Sequence, residues 1–201
     1  IDMIAGPSEI GVIADDSANP VHLGADLLSQ AEHDPRARAI MVTNSEKLAQ
    51  LVSDEVERQL SQLPRESIAR PAIENNSYIA VMDSVEDMFT VMNEVAPEHL
   101  EIQLPDPMEY MSMVENAGSV FLGRYASEPL GDYVGGTNHV LPTSGTAKFS
   151  SPLGVYDFVK RISFTQFSRE RLQEVAKDIT TLARTEGLEA HARAIEVRFE
   201  K

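Results

Sequence analysis

Short apolar runs alternate with amphipathic stretches through the first part of the chain. Runs of this length, rich in Val and Ile, are typical of strands that a parallel sheet buries on both faces. We predict strands at Ile10–Ala14, Ala39–Thr43, Tyr78–Met82, Leu100–Leu104 and Ser119–Leu122. Capping residues and helical spacing predict the helices between them. These run from Asn19 to about His33, from Ser45 to Leu63, from Ser84 to about Val95, and from Asp106 to Gly118.

This alternation predicts an α/β fold of the Rossmann-like kind, a mostly parallel sheet with helices on both faces. The stretch Gly123–Ser151 breaks the pattern with glycines and polar residues, and we predict a long functional loop there. From Pro152 the spacing is mostly helical, with Ser168 as a cap and Gly187 as a stop signal. We therefore expect an α/β domain over residues 1–151 and a helical C-terminal arm over residues 152–201.

The composition of the 201 residues narrows the class of protein. A 42% hydrophobic and 24% charged content is that of an ordinary globular protein, and no apolar run is long enough to span a membrane. The net charge of -15 disfavours nucleic acid as a partner, and the absence of cysteine excludes a disulfide or a cysteine nucleophile. We expect a cytoplasmic protein. Because Ile1–Ile4 reads as a strand without an initiator Met, we also expect a fragment that lacks an N-terminal part.

Two short motifs carry residues suited to metal binding or proton transfer. Gln30 and His33 lie three apart on the first predicted helix and so share a face, where an amide oxygen and an imidazole could reach one metal ion. The alternative is a polar helix end. Glu98 and His99 adjoin at a helix-to-strand junction and could form a general acid/base pair. The alternative is a histidine placed at the negative end of a helix dipole.

The glycine-rich stretch Gly131–Pro142 is a third candidate. Within it, Asp132 is a suitable hard ligand for a divalent metal and His139 suits an anionic group. It follows a predicted strand, and open α/β sheets place ligands beyond the carboxyl ends of their strands. Glu186 and His191 flank the last turn and, taken alone, read as solvated surface. The sequence contains neither a G-x-G-x-x-G fingerprint nor a phosphate-binding P-loop.

Taken together, these stretches resemble the histidinol dehydrogenase family. The matching strings are IDMIAGPSE at Ile1–Glu9, DLLSQAEH at Asp26–His33, PEHL at Pro97–Leu100, AGSVFLG at Ala117–Gly123, GDYVGGTNHVLP at Gly131–Pro142 and SSPLGVYDFVKR at Ser150–Arg161. DLLSQAEH and GTNHVLP are the specific ones. The resemblance runs in order through the whole chain and corresponds to about the second half of the family's polypeptide.

The resemblance implies a role for each of these residues. Gln30, His33 and Asp132 match three zinc ligands, and His191 matches a fourth that reaches across from a partner subunit. Glu98 and His99 match the catalytic pair. Ser8, His139 and Glu186 match positions that line the histidinol site, which the zinc ligands and His99 also border. The residues that contact NAD are expected in the absent N-terminal half.

The chemistry implied is a two-step, NAD-dependent oxidation of L-histidinol through L-histidinal to L-histidine, with one zinc ion per subunit. His99 would take the alcohol proton, and Glu98 would activate the water that hydrates the aldehyde. Zinc would orient the substrate. The apolar stripe of the C-terminal helices can fold back on its own domain or dock on another chain. The resemblance favours docking, as a homodimer with exchanged C-terminal arms.

Two other interpretations remain. A zinc metallohydrolase would use Glu98 to activate a metal-bound water and would act without NAD. A non-catalytic α/β ligand-binding module would leave Gln30, His33 and Asp132 apart from one another. From this chain alone we expect little or no activity.

Overall fold

The structure, a computed structural model, describes residues 5–200. The strand expected at Ile1–Ile4 lies outside these residues. The chain divides into two compact units, Ile1–Val159 and Lys160–Lys201, which are taken in turn.

A parallel sheet forms the centre of the first unit. Its strands are β1 (Glu9–Ala14), β2 (Arg38–Thr43), β3 (Tyr78–Val81), β4 (His99–Gln103) and β5 (Ser119–Leu122). Their order across the sheet is β3-β2-β1-β4-β5, and each neighbouring pair is parallel. The predicted α/β class and the predicted strands are confirmed, with ends that differ by at most one residue.

The helices of this unit are α1 (Pro20–Ala31), α2 (Glu46–Leu60), α3 (Glu66–Asn76), α4 (Val85–Val95) and α5 (Glu128–Tyr133). The side chains of Asn19, Ser45 and Ser84 cap α1, α2 and α4 as predicted. The α3 helix was not predicted, because Pro71 lies inside it and proline usually ends a helix. The helix predicted from Asp106 to Gly118 is instead a 3₁₀ helix over Pro107–Met113, and Asp106 before it takes a left-handed backbone conformation.

Two hydrophobic cores lie on opposite faces of the sheet. One joins the α1, α2 and α3 helices to side chains such as Ile10, Val12 and Met41. The other joins α4 to side chains such as Ile13, Leu100 and Ile102. The alternation along β1 thus assigns successive side chains to opposite faces, as expected of a strand buried on both sides.

One face of β4 breaks this apolar pattern. The register pairs His99 with Ile10, and residues paired across parallel strands project on the same side of the sheet. His99, Glu101 and Gln103 therefore lie on the α1 side, and all three are buried. A polar stripe on a buried strand needs internal partners, and its partners define the candidate site below.

The second unit contains α6 (Arg169–Thr185) and α7 (Glu189–Glu196). The Ser168 side chain caps α6, and Gly187 turns the chain with a φ of 76°, so both predicted signals are confirmed. Arg184 joins the two helices through ion pairs with Glu189 and Glu196. Within residues 5–200, the helices are all too short or too polar to cross a membrane.

Gly11 on β1 gives room to the segment that precedes β4. A Cβ at this position would lie 2.7 Å from Met92 Sδ and 2.8 Å from Pro97 Cγ. We expect Gly11→Ala to lower the free energy of unfolding by about 1–3 kcal/mol through overpacking. Chemical denaturation would measure this change. Gly24→Ala is the matched control, since its Cβ would approach the adaptable side chains of Gln59 and Glu55, and equal losses in both variants would contradict the explanation.

Candidate active site

A cluster of buried polar side chains lies at the amino edge of the sheet, where β1 and β4 begin. Glu9 is the first residue of β1 and His99 is the first residue of β4. Glu98 directly precedes β4, so its side chain is not bound by the alternation of the strand. It turns toward His99, and Glu98 Oε2 lies 3.6 Å from His99 Nδ1.

The backbone of Glu9 holds both members of this pair. Its N–H donates to Glu98 Oε2 at 3.0 Å, and its carbonyl oxygen lies 2.9 Å from His99 Nδ1. A carbonyl only accepts, so Nδ1 carries the hydrogen and Nε2 of a neutral His99 is an acceptor. The Glu9 carboxylate is in turn held by Arg38 Nη1 and by the Ser144 N–H, each at 3.1 Å.

Burial shifts the pKa values of the pair in opposite directions. It raises the pKa of Glu98 to about 7, and the carboxylates of Glu9 and Asp132 also raise it while the Glu9 N–H opposes them. Burial lowers the pKa of His99 to about 4, and the nearby His139 and His33 imidazoles lower it further. Near neutral pH, His99 is therefore an uncharged base, whereas Glu98 is divided between its acid and its carboxylate.

His139 and Asp132 reach this edge from the glycine-rich stretch. His139 Nε2 lies 2.9 Å from His99 Nε2 and 3.0 Å from Asp132 Oδ1. We predicted that Asp132 and His139 lie beyond the carboxyl ends of the strands. This prediction is wrong, because α5 and the segment after it run back to the amino edge. That segment also bonds there through Thr143 Oγ1, which accepts the Gly6 N–H.

Gly131 allows the close approach of His139 to α5. A Cβ on Gly131 would lie 2.8 Å from His139 Cε1 and 2.8 Å from Phe121 Cζ. Any larger residue would push the imidazole away from His99. Gly131 thus permits the close contact between α5 and His139.

Gln30 brings an amide to the same cluster from the end of α1. Its side chain is 1% exposed, and neither Nε2 nor Oε1 has a hydrogen-bond partner among residues 5–200. His33 lies beyond the end of α1, exposed, and close enough to lower the pKa of His99 in addition to burial. A buried amide without hydrogen-bond partners lowers the stability of the fold. This is the state that we expect of a ligand-binding side chain when its ligand is not bound.

Glu128 belongs to this cluster, and the sequence analysis missed it. Its Oε1 lies 3.7 Å from the Nε2 atoms of both His99 and His139, and these three residues offer ligand atoms within 4.8 Å of one another. Burial and then Asp132 raise the pKa of Glu128 to about 7, with the nearby Gln30 amide acting in the opposite direction. Ser127-Glu128-Pro129 is a helix-start signal inside the predicted loop, and it was the available clue.

Three predicted site residues remain to be described: Ser8, Glu186 and His191. Ser8 is half-buried immediately before β1, and its carbonyl accepts the Arg38 N–H at 3.0 Å. Glu186 and His191 are exposed residues of the second unit. The structure thus brings together Glu98, His99, Asp132 and His139, with Gln30 near Glu128, His33 close enough to affect the pKa of His99, and Ser8 directly before β1.

Comparison with known proteins gives the family. The profile of the histidinol dehydrogenase family matches residues 1–199. This chain belongs to the histidinol dehydrogenase family. It is 66% identical over 200 residues to the histidinol dehydrogenase of Lactiplantibacillus plantarum, and 64% identical over 201 residues to that of Streptococcus mutans. Both alignments cover 100% of this chain and 47% of the relative, so the chain spans about half the length of these relatives.

The fold of a solved family member agrees. The crystal structure of histidinol dehydrogenase from Elizabethkingia anophelis superposes with a TM-score of 0.82 at 43% sequence identity. The match covers 99% of this chain and 46% of that one. The similarity therefore includes the α/β unit and its polar amino edge.

The cluster offers a donor set that fits a divalent metal. The Gln30 amide is buried without a partner in residues 5–200, and the carboxylates beside it have pKa values raised first by burial. A cation would compensate the negative charge that these carboxylates carry when ionised. Nitrogen and oxygen donors of this kind suit zinc, although they also suit other divalent ions.

Replacing Gln30 tests whether this amide is a ligand. In metal-free protein, we expect Gln30→Leu to raise the free energy of unfolding by about 1–3 kcal/mol, because a buried group without partners is removed. The same variant should lose metal affinity. Denaturation with a chelator and metal analysis would measure the two effects. Gln103→Leu is the matched control, since Gln103 donates to Glu101 at 3.1 Å and its loss should destabilise. Destabilisation by both variants would contradict the assignment.

Proposed function

We propose that this chain is the part of a histidinol dehydrogenase that carries the acid/base pair and the metal ligands. The reaction is the oxidation of L-histidinol through L-histidinal to L-histidine with two NAD molecules. The observation that carries the proposal is that the backbone of Glu9 holds Glu98 and His99 together. The Gln30 amide, buried without a hydrogen-bond partner in residues 5–200, supports it. We use "full-length enzyme" for this chain joined to the segment that completes the family's length.

His99 is suited to take the proton of the alcohol. Its Nδ1–H is directed to the Glu9 carbonyl, so the lone pair of Nε2 faces the cluster. With a pKa lowered to about 4 by burial, it is neutral at cellular pH and able to accept a proton while a hydride leaves for NAD.

Glu98 is suited to the second step, in which water adds to the aldehyde. Its carboxyl oxygen accepts the Glu9 N–H, and its pKa, raised by burial to about 7, lies where a general base works best. The chain contains no cysteine, so this segment does not supply a thiol for a covalent route. Water activated by Glu98 is the route that these residues support.

Zinc is the metal proposed here, one ion per subunit. Gln30, His33 and Asp132 would hold it, with His191 of the partner subunit as the fourth ligand. When bound, zinc supplies positive charge that orients the imidazole and amine of the substrate. Ser8, His139 and Glu186 would line the substrate site around it. His99 is left out of the ligand set because its Nε2 lone pair must stay free for the proton.

NAD would be bound by the other half of the full-length enzyme. The described cluster contains no residue that we assign to NAD, and the sequence has no G-x-G-x-x-G fingerprint. A requirement for NAD separates this proposal from the metallohydrolase alternative, which predicts product formation without it.

The separate roles of Glu98 and His99 in the two oxidation steps can be measured in the full-length enzyme. His99→Ala should impair oxidation of both histidinol and histidinal, because both steps release a proton. Glu98→Gln should impair mainly histidinal oxidation, by about 100-fold or more, since only that step needs activated water. Separate assays with the two substrates decide the matter. Equal losses for both substrates in the Glu98 variant would contradict these separate roles.

The two steps should also differ in pH dependence. Glu98 must be ionised to act as a base, so histidinal oxidation should fall as the pH drops through about 7. The pKa of His99 is lowered to about 4, so histidinol oxidation should continue to lower pH. Profiles of kcat/KM for each substrate would show this difference, and coincident acid limbs would contradict it.

A homodimer with exchanged C-terminal arms is the proposed assembly. The α6 and α7 helices form a compact unit of their own, with apolar residues such as Leu182 and Leu188 exposed. Exposed apolar residues of this size are typical of a surface that contacts another chain. In such a dimer, the arm of one subunit would bring Glu186 and His191 to the site of the other.

Mixing two inactive variants tests the shared site. His33→Ala and His191→Ala should each reduce zinc content and activity of the full-length enzyme, since each removes one ligand. A dimer formed from one subunit of each type would contain one site with both defects and one with neither. Recovery of about a quarter of the activity is expected after random exchange of equal amounts, because about half of the dimers are then mixed and each mixed dimer has one intact site of two. Failure to recover despite proven exchange would rule out shared sites.

A further inference from the structure

Glu101 is a buried acid that the proposed chemistry does not use. It lies two residues after His99 on β4, on the same face of the sheet, and its side chain is fully buried. A buried carboxyl destabilises the fold unless each of its oxygens has a hydrogen-bond partner. The partners of Glu101 therefore indicate its role.

Three groups surround the Glu101 carboxyl. Its Oε1 accepts the backbone N–H of Glu128 at 2.9 Å, and its Oε2 accepts Gln103 Nε2 at 3.1 Å. The carboxyl of Asp26, from α1, is hydrogen-bonded beside it. Burial raises the pKa of Glu101 well above its usual range, and Asp26 raises it further, while burial also raises the pKa of Asp26.

The bond to Glu128 falls at the first residue of α5. Its N-cap residue, Ser127, makes no side-chain capping bond within the described part of the chain. The helix spans only six residues, too few to be stable without external contacts. The Glu101 carboxyl thus takes the place of a missing cap, and it does so from the strand that carries His99.

The position of α5 decides the geometry of the site. Glu128 and Asp132 are four residues apart and project from the same face of α5. Glu128 Oε1 lies 3.7 Å from His99 Nε2, and Asp132 Oδ1 lies 3.0 Å from His139 Nε2. A shift or rotation of this short helix would change both distances together.

We propose that Glu101 is a positioning residue, which bonds the amino end of α5 to β4 and thereby places Glu128 and Asp132 relative to His99 and His139. It touches neither substrate nor cofactor. The inference rests on the proposed function only where activity is the readout.

The test uses two substitutions in the full-length enzyme. Glu101→Gln keeps an oxygen for the Glu128 N–H, and its N–H₂ group can donate to Gln103 once the Gln103 amide turns its oxygen toward it, so kcat should stay within about 3-fold of the unchanged enzyme. Glu101→Leu removes the acceptor and should lower kcat on the order of 100-fold, with a smaller change in KM, because displaced reacting groups slow the chemical step. Circular dichroism confirms that each variant is folded.

Gln103→Leu is the matched control. It removes a buried polar side chain from the same face of the same strand, and it leaves the bond between Glu101 and Glu128 in place. We expect lower stability and a kcat within about 3-fold of the unchanged enzyme, which separates a positioning effect from general destabilisation.

Hydrogen exchange of the Glu128 amide gives a readout that needs no substrate. Protection of this amide should persist in Glu101→Gln and be lost in Glu101→Leu, even if histidinol is not the substrate. A folded Leu variant with unchanged protection and kcat would overturn the proposal. If the Leu variant does not fold, a folded Gln variant that has lost protection or about 30-fold or more in kcat would overturn it as well.

Discussion

The backbone of Glu9 is bonded at both its N–H and its carbonyl, and the geometry of the site depends on it. The N–H fixes the Glu98 carboxyl and the carbonyl fixes the tautomer of His99, so one residue of β1 sets two adjacent side chains. Neighbouring side chains of a strand would project to opposite faces. They converge here because β4 begins at His99 and Glu98 lies outside it. The side chain of Glu9 is itself held by Arg38 and Ser144.

Burial of charge without full compensation is the second constraint. Burial raises the pKa of both Glu98 and Glu128 to about 7 and lowers that of His99 to about 4, so near neutral pH the two acids are partly ionised and His99 is uncharged. The same burial costs stability, as does the unpartnered amide of Gln30. The hydrophobic cores on the two faces of the sheet offset these costs, so the polar stripe of β4 is tolerated.

Most of the fold could be predicted from the sequence because its strands are continuous apolar runs and its main helices carry caps. Gln30, His33, Glu98 and His99 were singled out from spacing, although His33 lies beyond the end of α1 and not on the helix with Gln30. Glu128 was not, because its place in the cluster depends on the path of α5 back along the sheet. The six residues of α5 carry too little periodicity to show a helix, and the sequence around Glu101 does not indicate its bond to α5.

The location of the site at the amino edge follows from these long-range bonds. A sheet of this order has its topological switch point between β1 and β4, and the usual binding crevice lies at their carboxyl ends. In this chain that edge has a small cleft lined by residues such as Ser17, His22 and Arg124. The titratable residues with the largest opposed shifts lie instead at the amino ends, where Glu9 and His99 begin their strands. In the proposed function, the fold sets the sheet order, whereas the hydrogen bonds made by Glu9 and Glu101 hold the reacting residues at the amino edge.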